Sequence, residues 1–169
     1  MAEKKQVLYD LRTAYSGPFL VEDFYAEVDN WIKEKGFEKE PKKKMEQVAK
    51  NGKKIEWVVE AHRRLDDLHE GVIVLRVLLD NVKEAVIKKN GKKIRLSNGD
   101  ALISIDGWIQ AHVHGSFYQV KPVYYFIRSL INKFVYVLSD KWDGAVASDC
   151  HDLFKRIRAF FNVQKYKYE

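Results

Sequence analysis

This sequence predicts an α+β fold: a curved antiparallel sheet of about five to six strands, an amphipathic helix near its start and two helices at its end. Three observations carry that expectation. The hexapeptide Lys50-Asn51-Gly52-Lys53-Lys54-Ile55 recurs as Lys89-Asn90-Gly91-Lys92-Lys93-Ile94, and Asn-Gly is the strongest short hairpin signal because both residues accept positive φ. The stretches around these motifs alternate apolar and polar residues, the period of a strand with one buried face. The regions before and after them change to spacings of three and four, the period of a helix.

In order, Val7–Tyr15 reads as a first strand through Leu8, Tyr9, Leu11 and Tyr15, and Ser16-Gly17-Pro18 as a turn leading into a helix. Leu20, Phe24, Val28, Trp31 and Ile32 form the apolar face of that helix. Glu22 and Asp23 sit early, where the helix dipole favours acids, and Gly36 stops it. A charged connector with Pro41 follows, from Phe37 to Lys44. Met45 to Lys50 leads into the first Asn-Gly turn. Ile55, Trp57, Val59 and Ala61 then alternate with Glu56, Val58, Glu60 and His62. Asp66 and Asp67 before Gly71 read as turn residues. Val72–Leu79 is apolar except for Arg76, as in a central strand covered on both faces. The second lysine hairpin comes next, and a third Asn98-Gly99 follows it. Ala101, Ile103, Ile105, Ile109 and Ala111 alternate with Leu102, Ser104, Asp106, Trp108 and Gln110, with Gly107 a candidate bulge.

After Pro122 the stripe Val123, Phe126, Ile127, Leu130, Ile131, Phe134, Val135 and Leu138 reads as the main core helix. Ser139–Gly144 interrupts it, and a last helix spans about Ala145–Asn162, with Val146, Cys150, Leu153, Ile157 and Phe161 inward. Residues 164–169 read as a frayed basic tail. No linker divides the chain, so residues 1–169 are read as a single domain.

This order of elements resembles the helix-grip proteins, the START-like and pollen-allergen-like group, in which a curved sheet wraps a long helix. The chain departs from that group by one long helix after the first strand in place of two short ones, and by a second C-terminal helix. The resemblance implies a ligand cavity between sheet and helix. No motif aligns the group's ligand residues with positions here.

The single cysteine excludes a disulfide framework and a cysteine-rich zinc site. The opening Met-Ala-Glu-Lys-Lys-Gln lacks the apolar core of a signal peptide, and no apolar run approaches the ~20 residues of a membrane span. The expectation is a cytoplasmic protein with no membrane partner. No phosphate loop or nucleophile elbow occurs, so no catalytic motif is assigned. Asp149-Cys150-His151-Asp152 would point in different directions on a helix, with Cys150 on the apolar stripe. No cofactor and no metal are assigned. The nearest approach to a metal pair is His112 and His114, two apart on one strand face, with Asp106 in phase and only His62, His69 or Glu60 to complete a set.

Charge gives the functional lead. The formal net charge is +6, concentrated as +5 over residues 41–64, +5 over 88–99 and +4 over 121–169. Clustered lysines at hairpin tips suit phosphates. The residues expected to meet an anionic partner are Lys50, Lys53, Lys54, Lys89, Lys92, Lys93 and Arg156. The leading expectation is a non-catalytic interaction protein using basic hairpins on structured RNA, a ribonucleoprotein or an acidic protein surface. The alternative is a helix-grip-type binder of a small apolar or aromatic ligand, or an assembly protein. An enclosed apolar cavity would favour the alternative.

Overall fold

In a computed structural model, the backbone of residues 2–112 and 121–168 is described, with the side chains of 4–111, 130 and 140–168. The elements are β1 (Ala2–Phe19), α1 (Val21–Glu34), β2 (Glu38–Ala49), β3 (Gly52–Arg64), β4 (His69–Lys89), β5 (Lys92–His112) and α2 (Lys121–Tyr168). The five strands form one antiparallel sheet in the order β1-β5-β4-β3-β2. β4 is central, as the apolar run Val72–Leu79 predicts. The class is α+β.

Alternation sets which face is buried. Ile55, Trp57, Val59 and Ala61 of β3, Ile73, Leu75, Val77 and Leu79 of β4, and Ala101, Ile103, Ile105 and Ile109 of β5 form one apolar wall. Val72 and Val74, on the opposite face of β4, are buried as well. α1 covers the wall with Phe24, Val28, Trp31 and Ile32. It ends as its sequence predicts: Gly36 takes φ 74°, Gly36 N–H donates to Lys33 O at 3.1 Å and Phe37 N–H to Ile32 O at 2.9 Å. This is a Schellman cap, and the ring of Phe37 closes it by stacking on Trp31 at 5.4 Å.

α2 is where expectation and structure part. It is one helix of 48 residues, not two, and its last turn runs through Tyr168, where the sequence suggested a frayed tail. Ser139–Gly144 does not break it. Gly144 costs about 1 kcal/mol relative to alanine, but tertiary contacts hold the segment: Asp140 and Asp143 both accept from Lys5 of β1, at 2.5 and 2.8 Å, and Trp142 Nε1 donates to Asp66 at 2.8 Å. Among the described side chains of α2, those that pack on the sheet include Val146, Cys150, Leu153, Ile157 and Phe161. Leu130, expected in the core, is 42% exposed. Ile127, Ile131 and Phe134 lie outside the described side chains. Gly107 and Gly71 let the helix lie close. A Cβ on Gly107 would sit 2.8 Å from Cys150 Sγ, and one on Gly71 3.4 Å from Val146. Gly107 therefore serves helix packing, while the irregularity faces it in β1, between Gln6 and Leu11.

Two further readings are corrected. Ser16-Gly17-Pro18 does not turn but continues β1, paired with Asp100, Gly99 and Asn98. The connector Phe37–Lys44 is mostly strand: β2 is an exposed edge, where Pro41 is tolerated beside a bulge at Pro41/Lys43.

Candidate polyanion-binding end of the sheet

β4 and β5 outrun their neighbours. The last rung between β3 and β4 is Lys53↔Val82, and the last between β1 and β5 is Phe19↔Ser97. Beyond these, Glu84–Lys89 and Lys92–Leu96 form a two-stranded ribbon about 20 Å long at 3.3 Å per residue. It leaves the sheet at a crease. Asn81 takes φ 53° in a bulge of β4 that both neighbouring strands record. Two glycines press on it. A Cβ on Gly52 would lie 2.9 Å from Asn81 C, and one on Gly99 2.9 Å from Asp80 O. Asn81 Nδ2 donates to Asp100 at 3.3 Å. The three Asn-Gly pairs therefore do different jobs. Asn90-Gly91, with φ 53° and 76°, is a two-residue turn closed by Lys89↔Lys92. Asn98-Gly99 lies inside β5. In the first hairpin the closing rung is Ala49↔Gly52, so the loop is Lys50-Asn51 and Gly52 belongs to β3.

The ribbon carries Lys88, Lys89, Lys92, Lys93 and Arg95 against one carboxylate, Glu84. Register sets Lys88 directly opposite Lys93 and Lys89 opposite Lys92. Like charges face each other on both sides of the ribbon, an arrangement that destabilises a pair of strands unless something anionic joins them. α2 ends at the same place. Lys89 Nζ donates to Lys167 O at 2.6 Å and lies 5.5 Å from the centre of the Tyr168 ring. A lysine thereby satisfies one of the open carbonyls at the helix end. Because successive strands are antiparallel, the first hairpin tip, with Lys50, lies at this end of the sheet too.

The seven cations expected to form an anionic interface divide. Lys50, Lys54, Lys92 and Lys93 have no partner among the described residues. Lys89 caps α2. Lys53 is held by Glu46 at 3.1 Å and Glu84 at 3.4 Å, and those hydrogen bonds raise its pKa. Arg156 is on another part of the molecule, joining α2 to α1: Nε donates to Glu27 at 2.6 Å and Nη1 to Glu34 at 2.5 Å. Its role is structural. Lys88 and Arg95 belong with the free set although the hairpin motif does not contain Lys88 or Arg95. The signal was the unbroken basic run over 88–99, which extends past the hexapeptide on both sides.

The other candidates are accounted for as follows. Cys150 is fully buried, and its thiol is pushed up to about 12 by burial, with smaller contributions from Asp149 and Asp106. The neighbours of Cys150 scatter: Asp149 pairs with Arg63, Asp152 accepts from Trp31 Nε1 at 2.9 Å, and His151 is exposed. The side chains of His112 and His114 lie outside the described residues. Asp106 is engaged by Arg76 and by Asp10 N–H at 2.7 Å. This network lines an outer-face hollow of about 310 Å³ with Tyr9, Arg12 and Leu102. His69 is buried on the core face with Nδ1 2.8 Å from Asp66, while His62 faces the other way, so the two do not share a centre.

Between sheet and α2 the described residues pack closely. Phe24 stacks on Phe161 at 5.4 Å, and Tyr15 on Phe161 at 4.6 Å. The gap bounded by Phe37, Ile73 and Val146 has no room for a water molecule. No helix among the described residues is long and apolar enough to cross a membrane. In comparisons with known proteins, no family model, no curated protein and no solved structure matches this chain.

Proposed function

We propose that this chain is a non-catalytic binding module that docks on structured RNA through the β4–β5 ribbon, assisted by the tip of the first hairpin. The observation that carries the reading is the pair of opposed lysine rungs, Lys88↔Lys93 and Lys89↔Lys92. Such rungs repel when bare, and a phosphate between them turns repulsion into two charge-assisted hydrogen bonds. A slender ribbon of two strands can lie along a phosphate backbone. Among the described residues, the gap at Phe37, Ile73 and Val146 leaves no room for a small ligand.

The experiment is a salt titration of binding to a structured RNA. Replacing Lys88, Lys92, Lys93 and Arg95 with glutamine leaves the fold intact, because these groups are exposed and have no partner among the described residues. Each lost phosphate contact lowers the slope of log affinity against log salt by about 0.7 to 0.9. The expected result is weaker binding with a slope flatter by about 3. A parent protein without RNA affinity at low salt, or a variant that binds equally well, overturns the proposal. Binding to an acidic protein in place of RNA would turn the reading to the other partner class.

A further inference from the structure

At the opposite end of β3, roughly 30 Å from the ribbon's base along the strand, a second group of side chains meets on the outer face. Glu40 of β2 and Glu60 of β3 are directly opposed cross-strand neighbours. His62 is two residues further along β3 and so projects from the same face as Glu60. Its Nε2 lies 3.1 Å from Glu40 Oε2 and 3.0 Å from Glu60 Oε2. Its Nδ1 lies 3.5 Å from Glu70 Oε2 on β4. All three ligand atoms of Glu40, Glu60 and His62 fall within 4.8 Å of one another.

From this geometry we infer that Glu40, Glu60 and His62 form a binding site for a divalent first-row transition cation, with zinc as the type. Ligand bonds of about 2.1 Å hold neighbouring donor atoms about 3.0 Å apart at right angles and about 3.4 Å apart in a tetrahedron. The two nitrogen–oxygen separations, 3.1 and 3.0 Å, lie close to the right-angle edge. The donor set is mixed, one imidazole and two carboxylates, which suits zinc, iron or manganese better than magnesium or calcium. Glu70 is the carboxylate nearest Nδ1, at 3.5 Å, the place where the outer partner of a ligating imidazole sits. Lys42 is the competitor. It is the extra residue of the bulge between Pro41 and Lys43, and its ammonium lies 2.5 Å from Glu40 and 3.5 Å from Glu60. A bound ion displaces it and ties the exposed edge strand β2 to β3.

The test uses the full chain, freed of metal and titrated with Zn²⁺ by calorimetry, with Co²⁺ absorption as a second readout. The expected result is one saturable Zn²⁺ per chain and a cobalt spectrum of a mixed nitrogen–oxygen site. His62→Gln and Glu60→Gln each weaken binding at least tenfold, as loss of a ligand does. Lys42→Met tightens it, and His151→Gln leaves it unchanged. Lys42 and His151 are exposed and Glu60 and His62 partly buried, and unchanged melting of the metal-free variants confirms that they fold. Absence of saturable binding, or parent-like binding in His62→Gln, overturns the proposal, because the ion is then adventitious or elsewhere. Unchanged affinity in Lys42→Met also overturns it, since the competitor would not be touching the site.

Discussion

Two stretches of nearly identical sequence end in different structures, one buttressed and one free-standing. At Lys50–Ile55 the glycine is drawn into β3 and pressed on the crease of β4, with φ 136° and three backbone atoms of Asn81 and Val82 within 3.1 Å of where a Cβ would be. At Lys89–Ile94 the glycine is the second turn residue, with φ 76° and nothing within 4 Å. The lysines follow the same division. Lys53 is taken up by two glutamates, while Lys92 and Lys93 stand opposite other lysines. Local chemistry makes each motif able to turn. What lies against it decides where the turn falls and whether its charges are left for a partner.

The largest test of that contrast is steric. Gly52→Val adds backbone strain of about 1–3 kcal/mol and overpacking of similar size. Its expected cost is about 3–5 kcal/mol by urea denaturation. Gly91→Val meets only the positive φ and costs about 1–2 kcal/mol. Equal costs at the two glycines would show that the crease does not bear on Gly52.

The β3–β4 connection, at the other end of the sheet, is closed by a side chain instead of a glycine. Asp66 Oδ1 accepts from the N–H groups of Leu68 and His69, each at 2.8 Å, and Oδ2 accepts from Trp142 Nε1 at 2.8 Å. Burial pushes its pKa up, but these bonds and the His69 ring outweigh burial and hold it well below the usual carboxylate range. A depressed folded pKa contributes stability that is present above the unfolded value, about 4, and lost as pH falls below it. Asp66→Asn is expected to cost about 1–3 kcal/mol at neutral pH. It should also flatten the loss of stability below pH ~4. An unchanged acid profile in the variant would remove Asp66 from the account.

How far the sequence could be read follows the same line between local and non-local causes. The alternation in β3 and β5, the stripe and glycine stop of α1 and the Asn90-Gly91 turn were legible because each is written within a few residues. The Asp66 turn was legible for the same reason. The loop at Lys50-Asn51 was not, because Gly52 answers to Asn81, some thirty residues away. Nor was the continuity of α2. Ser139–Gly144 resembles a break until Lys5 and Asp66 are beside it. The close approach of Cys150 and Val146 to the sheet rests on Gly107 and Gly71, whose missing side chains admit them. Of the candidate interface, the basic run was visible. The opposition of its lysines, and the withdrawal of Lys53 and Arg156 into ion pairs, needed register and packing.

The finest test compares the two hairpins as binding elements. Lys92→Gln with Lys93→Gln removes two unpaired cations, and Lys53→Gln with Lys54→Gln removes one paired and one unpaired. Salt titrations of RNA binding should show the first double variant flattening the slope by about 1.4 to 1.8 and the second by about 0.7 to 0.9. Neither pair should move the urea midpoint much, since exposed lysines contribute little to stability. Equal slope changes would mean that Lys53 leaves Glu46 and Glu84 for the RNA, so that an ion pair in the free protein does not withdraw a lysine from the interface. A larger change at Lys53 and Lys54 would invert the comparison and make the buttressed hairpin the principal contact.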